Sequence, residues 1–309
     1  MARIIFQRPA SGYRSVRGEL IKKVQQSLGE VYTDIIDGIY GRNTEVALLT
    51  YQQQQGFSPT GKIDEETWQK LVSPELPSIQ ERCLQVTADF EGHGFTKIAG
   101  NFDGAGLTWG IIGFTLSNGE LGKVIKEIND KHPSLMEEAF GSSLNELLTN
   151  LKRSLSEQVN WADRISSGSN KYKVREPWST AFYKLGSYSE VQALQLEHTK
   201  RYWDIAFGDA QRFNLRTELG LALCFDIAIQ NGGIDSTERE RIQRRINETR
   251  PTTEQDVRVI IANVVAENSN RRWIEDVRKR KLAIATTRGE VHGAKYEIKT
   301  WGLDEVPLP

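Results

Sequence analysis

The sequence predicts a mainly helical fold with a small β-hairpin or sheet, in which a small three-helix domain precedes a larger helical one. Three observations predict this. From residue 78 to about 285, apolar side chains recur at helical i, i+3, i+4 spacing. Pro74 and Pro77, in the segment VSPELPSIQ (72–80), separate that region from about 70 residues of shorter helical patterns. The extended signals are confined to the glycine-rich stretch at 95–115 and to KYEIKTWGL near the end.

Taken in order, ELIKKVQQSLGEV places Leu20, Val24 and Leu28 on one helical stripe. DGIYGRNTEVALLTYQQ (37–53) and TGKIDEETWQKL (60–71) echo each other: a turn glycine, a short extended piece, then a threonine opening a helix. Thr44 and Thr67 read as N-cap or first-turn residues, with Glu45, Glu65 and Glu66 suiting the positive helix end. SIQERCLQVTADFEG aligns Ile79, Cys83, Val86 and Phe90, and Gly92 supplies the stop. LTWGIIGF is the strand candidate, and LALCFDIAI, almost wholly apolar, is the candidate central buried helix. The runs RRWIEDVRKRK and ERERIQRR read as solvated helix faces.

Composition narrows the function classes. The 309 residues, 38% hydrophobic and 26% charged, suit an ordinary globular protein of about two domains. Lys plus Arg (40) balances Asp plus Glu (41), so no overall field draws the chain to nucleic acid or an anionic membrane. No run approaches the ~18 apolar residues of a membrane span. The N-terminus lacks a signal-peptide h-region, so synthesis in the cytoplasm is expected, and work elsewhere requires another delivery route. Two cysteines, Cys83 and Cys224, are expected to be buried thiols. Histidines 93, 132, 198 and 292 show no paired-ligand spacing, and no metal or other cofactor is called for.

The chemistry gathers in EGHGFTKIAGNFDGAGLTWGIIGFT (91–115). Glu91 stands where its helix ends. There the macrodipole and the neighbouring Phe90 and Phe95 favour the protonated form that a general acid needs. His93 is close enough in sequence to tune it, although a solvated loop histidine is the commoner case. Asp103 lies among glycines, open to water and to backbone N–H groups, which keep an acid ionised and ready to act as a base. Two carboxyl groups in contrasting surroundings are the core of glycoside hydrolysis. An acid before glycine and an Asp-Gly turn are also common without catalysis.

Two resemblances extend this reading. Val24-Gln25 with Leu28, Asp37-Gly38-Ile39-Tyr40-Gly41 with Thr44, Tyr51-Gln52 with Gly56-Phe57, and Thr60-Gly61 with Thr67-Trp68 and Leu71 resemble the type 1 peptidoglycan-binding module. That resemblance implies a wall-binding groove, with Tyr40 and Arg42 as groove residues, in a domain spanning 1–74. The run Asp103-Gly104-Ala105-Gly106-Leu107-Thr108-Trp109-Gly110-Ile111-Ile112-Gly113-Phe114 resembles the signature of the glycoside hydrolase family 46 chitosanases. It implies a lysozyme-like, two-lobed catalytic domain over 78–309. Glu91 is then the general acid, Asp103 the base and Thr108 a hydroxyl positioning water, with inversion and carboxyls about 6.5–9.5 Å apart. It also implies a buried supporting pair, Arg201 with Asp226, and a turn at Gln230 and Asn231 lining the cleft. Trp109 and Trp178 are the tryptophans expected to stack on sugar.

A wall-binding module and a near-neutral chain point to peptidoglycan rather than to polycationic chitosan. The leading expectation is therefore a muramidase, a phage endolysin or injected antibacterial toxin delivered by a holin or a secretion machine. A chitosanase is the alternative within the same chemistry. A non-catalytic wall-binding or structural phage protein is the alternative outside it.

Overall fold

A computed structural model describes residues 3–92 and 94–308, so the expectation for His93 falls outside the described residues. The chain divides into two compact units, one formed by Met1–Phe90 with Tyr202–Pro309 and the other by Glu91–Arg201. No helix among the described residues is long and apolar enough to cross a membrane.

The first unit begins with β1 (Ile4–Phe6), α1 (Glu19–Ser27) and α2 (Arg42–Gln54). β2 (Ile63–Asp64), α3 (Glu65–Leu71) and α4 (Ile79–Glu91) follow. Strand β1 pairs antiparallel with β2. Buried Gln25 and Gln52 hold the three short helices together. Gln25 accepts from Gly38 N–H and donates to the Ile39 carbonyl; Gln52 accepts from Gly61 N–H and donates to the Lys62 carbonyl. Such fully used amides fix turns that the apolar stripe alone would leave free. Thr44 and Thr67 lie in first turns; Gly41 and Asp64 are the N-caps, and Asp64 accepts from Thr67 N–H at 2.8 Å.

In the second unit, β3 (Ile98–Ala99), β4 (Thr108–Trp109) and β5 (Phe114–Thr115) form one antiparallel sheet. LTWGIIGF is thus a tight hairpin rather than one strand, because Gly110 and Gly113 both adopt positive φ (89° and 71°) and turn the chain. Helices α5 (Glu120–Lys131), α6 (Pro133–Phe140), α7 (Leu144–Leu151) and α8 (Leu155–Ile165) follow. The two-stranded pair β6 (Ser166–Ser167) and β7 (Lys173–Val174) then leads to α9 (Trp178–Ser187) and to α10 (Ser189–Arg212), whose residues from Tyr202 onward belong to the first unit. Helix α8 starts with a Ser154/Glu157 capping box.

The rest of the first unit comprises α11 (Glu218–Asn231), α12 (Ser236–Thr249), α13 (Glu254–Asn268) and α14 (Ile274–Ala285). Helix α11 is buried continuously from Glu218 to Ala228, as its apolar run predicts. The final piece divides: β8 (Arg288–Val291) pairs with β9 (Ala294–Glu297), but Ile298–Trp301 closes into a 3₁₀ turn instead of extending the strand. Cys83 and Cys224 are buried free thiols, and burial pushes both up.

Candidate active site

Helix α4 ends at Glu91, which is half-buried, and Gly92 (φ 62°) turns the chain out of the helix. The Gly92 carbonyl accepts a bond from the Lys97 ammonium, so a cation closes the negative end of this helix beside Glu91. Strand β3 then faces β4, with Ile98 opposite Trp109 and Ala99 opposite Thr108.

Asp103 is exposed in the loop joining β3 to β4, and its Oδ1 accepts from Ala105 N–H at 3.0 Å. Asn101 gives the loop its shape. It donates to Asp163 Oδ1 at 2.9 Å, accepts from Gly106 N–H at 2.9 Å, and its own N–H donates to Ser166 Oγ at 2.9 Å. The Asp103 side chain therefore stands on a braced loop in water.

Thr108 is only 7% exposed, and its hydroxyl has no hydrogen-bond partner among the described residues. Thr115 stands directly opposite on β5, and its hydroxyl likewise finds no partner among the described residues. A buried hydroxyl without a partner costs about 1–3 kcal/mol, so two facing each other on one short hairpin demand a reason. Holding a reactant water is one that suits hydrolysis. The hairpin itself is stitched by buried Gln195, which accepts from Ile111 N–H at 2.9 Å and donates to the Phe95 carbonyl at 3.0 Å. A Cβ at Gly110 would collide with the Gln195 amide oxygen, so this glycine is needed for close approach as well as for its φ. No local pattern marks Gln195 in the sequence; it is one polar residue in a long helix.

Several expected site residues have other tasks. Trp109 is fully buried, donating Nε1–H to the Phe182 carbonyl at 3.2 Å. Trp178 is buried edge-on against Trp161, with ring centres 5.0 Å apart. Neither indole can meet a sugar, because both faces belong to the core. The aromatic surface next to Asp103 is instead Phe102 with Tyr172, both exposed, with centroids 5.2 Å apart and the Lys97 ammonium 6.0 Å from the Tyr172 ring. Phe102 was visible in the sequence as the neighbour of Asp103. Tyr172 arrives only through the β6–β7 loop, where its carbonyl accepts from Gly100 N–H at 2.8 Å. Arg201 forms an ion pair with Glu120.

In the first unit, Asp226 is fully buried and is paired with the cations Arg280 and Lys281. Arg280 donates Nε–H to both carboxylate oxygens at 3.0 Å and a terminal N–H to Oδ1 at 2.7 Å. Lys281 reaches Oδ2 at 2.6 Å and Gln230 Oε1 at 2.6 Å. Burial disfavours the Asp226 charge, but the two cations outweigh it and hold the carboxyl down at about 2. The Thr87 hydroxyl, one turn before Glu91 on α4, also donates to Asp226, at 3.2 Å. Arg280 and Lys281, the last two residues of RRWIEDVRKRK, are therefore core, while Lys279 remains on the solvated face. Asn231 is exposed at the end of α11, while Gln230 is tied to Lys281. In the N-terminal region Tyr40 is fully buried, its hydroxyl donated to the Gly61 carbonyl, so it packs the interior and lines no groove; Arg42 is exposed.

An acid ending a helix, an exposed aspartate on a glycine loop and, on the two strands that follow, buried hydroxyls without partners among the described residues match the two-carboxylate pattern of glycoside hydrolases. The comparisons with known proteins are specific on this point. Glycosyl hydrolase family 46 matches residues 86–259, more than half the chain, and the peptidoglycan binding domain family matches residues 17–71. The chain belongs to glycosyl hydrolase family 46 and carries an N-terminal peptidoglycan binding domain. Among solved structures, native chitosanase from Bacillus subtilis is similar at 19% identity and TM-score 0.50, covering 72% of this chain and 99% of that one. The chitosanase of Gynuella sunshinyii in complex with chitotetraose is similar at 16% identity and TM-score 0.50, covering 72% and 98% respectively. At these identities the likeness is one of fold. No curated protein matches the chain.

Proposed function

We propose that this family 46 enzyme is a muramidase that cleaves the β-1,4 glycan of peptidoglycan with inversion. The observation that carries the reading is the peptidoglycan binding domain at residues 17–71 in the same chain as the family 46 match. A hydrolase joined to a wall-binding domain works where that domain binds, and the murein backbone offers the same linkage as chitosan.

In the proposed reaction Glu91 gives its proton to the glycosidic oxygen as the C1–O bond breaks. Asp103 takes a proton from a water that attacks the opposite face of C1, and Thr108 orients that water. The leaving sugar departs as an alcohol, and the new reducing end is the inverted hemiacetal. Phe102 and Tyr172 offer an aromatic surface for a pyranose beside Asp103. The working place is the cell wall.

The second reading, a chitosanase, draws on the solved chitosanases of the same fold. Purified murein and chitosan, digested separately and analysed by mass spectrometry, decide between them. Reducing-end muramic acid from murein supports the muramidase. Activity confined to chitosan overturns it. Glu91→Gln is expected to lower either activity by about a hundredfold or more. Unchanged lysis of wall material by that variant would leave only a binding protein.

A further inference from the structure

Helix α4 carries two stripes. Cys83, Val86 and Phe90 are the apolar one; Arg82, Gln85 and Asp89 form a polar one at i, i+3, i+7, and it is nearly as well buried. What covers the polar stripe is the two ends of the chain. Arg82 pairs with Glu218 at 2.8 Å and donates to the Gly302 carbonyl, and Arg3 joins the same carboxylate. Gln85 Oε1 accepts from Leu20 N–H at 3.1 Å, so the first turn of α1 is capped by a side chain of α4. Gly18 permits the approach, since a Cβ there would lie 2.9 Å from Gln85 Cγ.

Asp89 accepts hydrogen bonds from both ends of the chain. Its side chain is 6% exposed and is gripped by the Arg14 guanidinium fork, Nε–H to Oδ2 at 3.0 Å and a terminal N–H to Oδ1 at 2.9 Å. The Tyr296 hydroxyl donates to Oδ2 at 2.5 Å, and Arg17 stands 3.7 Å from Oδ1. Arg14 is itself fixed, because its N–H donates to the Lys295 carbonyl at 2.6 Å and Tyr13 bridges to Lys295 on β9. Burial and the Asp89 charge push the Tyr296 phenol up, so it remains a donor. Asp89 lies two residues before Glu91, inside the final turn, where a helix has lost the onward hydrogen bonds that would restrain it.

We propose that Arg14, with Tyr296, is a positioning residue for the proton donor. By clamping Asp89, the segment that leads into the wall-binding domain fixes the last turn of α4 and hence the direction of Glu91. The N-terminal region is then part of the catalytic apparatus as well as an anchor. The inference rests on Glu91 being the acid.

The test uses the full chain and a short soluble oligosaccharide of whichever glycan the wild type cleaves, so that wall binding contributes nothing. Arg14→Ala is expected to lower kcat about ten- to hundredfold with KM within about twofold, the effect of a misplaced catalytic group. Arg14→Lys, which keeps the charge and loses the fork, recovers part of that rate. Tyr296→Phe, an almost isosteric change that spares the fold, lowers kcat about threefold to tenfold. If Arg14→Ala and Tyr296→Phe, both folded by circular dichroism, keep wild-type kcat on the soluble substrate, the inference is overturned and the segment is an anchor alone. If instead Glu91→Gln retains activity, the acid assignment fails, a distinguishable result. Should Arg14→Ala not fold, Tyr296→Phe and Arg14→Lys decide.

Discussion

Asp226 and Asp103 are the same side chain in opposite surroundings. Asp226 is completely buried, with a guanidinium fork, an ammonium and the Thr87 hydroxyl directed at it. Asp103 is exposed on a loop whose bracing passes through Asn101 rather than through the aspartate itself. The contrast separates two uses of negative charge. A carboxylate saturated with cations has no lone pair to offer a substrate and serves as a rivet. A carboxylate supported by its loop but left in water keeps an oxygen for a proton.

The largest effect should come from the rivet. Asp226→Asn leaves Arg280 and Lys281 buried against a neutral amide, and should destabilise the fold by roughly 3–5 kcal/mol in urea unfolding. Its pH dependence follows from the depressed carboxyl. The folded value of about 2 lies below the ordinary 3.8, so the stabilisation is fully present above pH ~4 and is lost as pH falls through ~2. The gap between wild type and Asp226→Asn should close over that window; a gap of constant size would show that the charge is not what matters.

Asp103→Asn inverts the pattern. It should lower hydrolysis about a hundredfold to ten-thousandfold while leaving the unfolding midpoint within experimental error. Full activity with chain cleavage to 1,6-anhydro products would instead point to a transglycosylase, which needs no base. Smallest is Thr108→Val, which exchanges a hydroxyl without a partner among the described residues for a methyl of similar shape. Activity should fall on the order of tenfold, the worth of one hydrogen bond, and stability should hold or rise slightly. A loss of stability would mean that the hydroxyl has a structural partner.

The sequence made some of this legible and hid the rest for definite reasons. Glu91, Asp103 and Thr108 fall within one stretch of 18 residues, where glycine positions and acid spacing can be read locally. Helices announced themselves by apolar period, α11 most clearly. Arg280 and Lys281 could not be paired with Asp226 from the sequence, because more than 50 positions intervene and the run RKRK looks like a solvated face. Trp109 and Trp178 read as sugar-stacking candidates because tryptophan serves both cores and sugar clefts; only the packing against Phe182 and Trp161 decides. The hairpin within LTWGIIGF is hidden in the sequence because its apolar run masks a turn that depends on Gln195, more than 80 positions later.

The Leu20–Gln85 bond has a consequence for how such proteins are assembled and rebuilt. Modular enzymes are often treated as beads on a string, to be exchanged by splicing at the linker. Here the first helix of the bead borrows its terminus from the next one. A transplant at Pro74 or Pro77 would strand an amide on each side of the cut, so exchange of this domain requires residues 85 and 89 to travel with it or be redesigned.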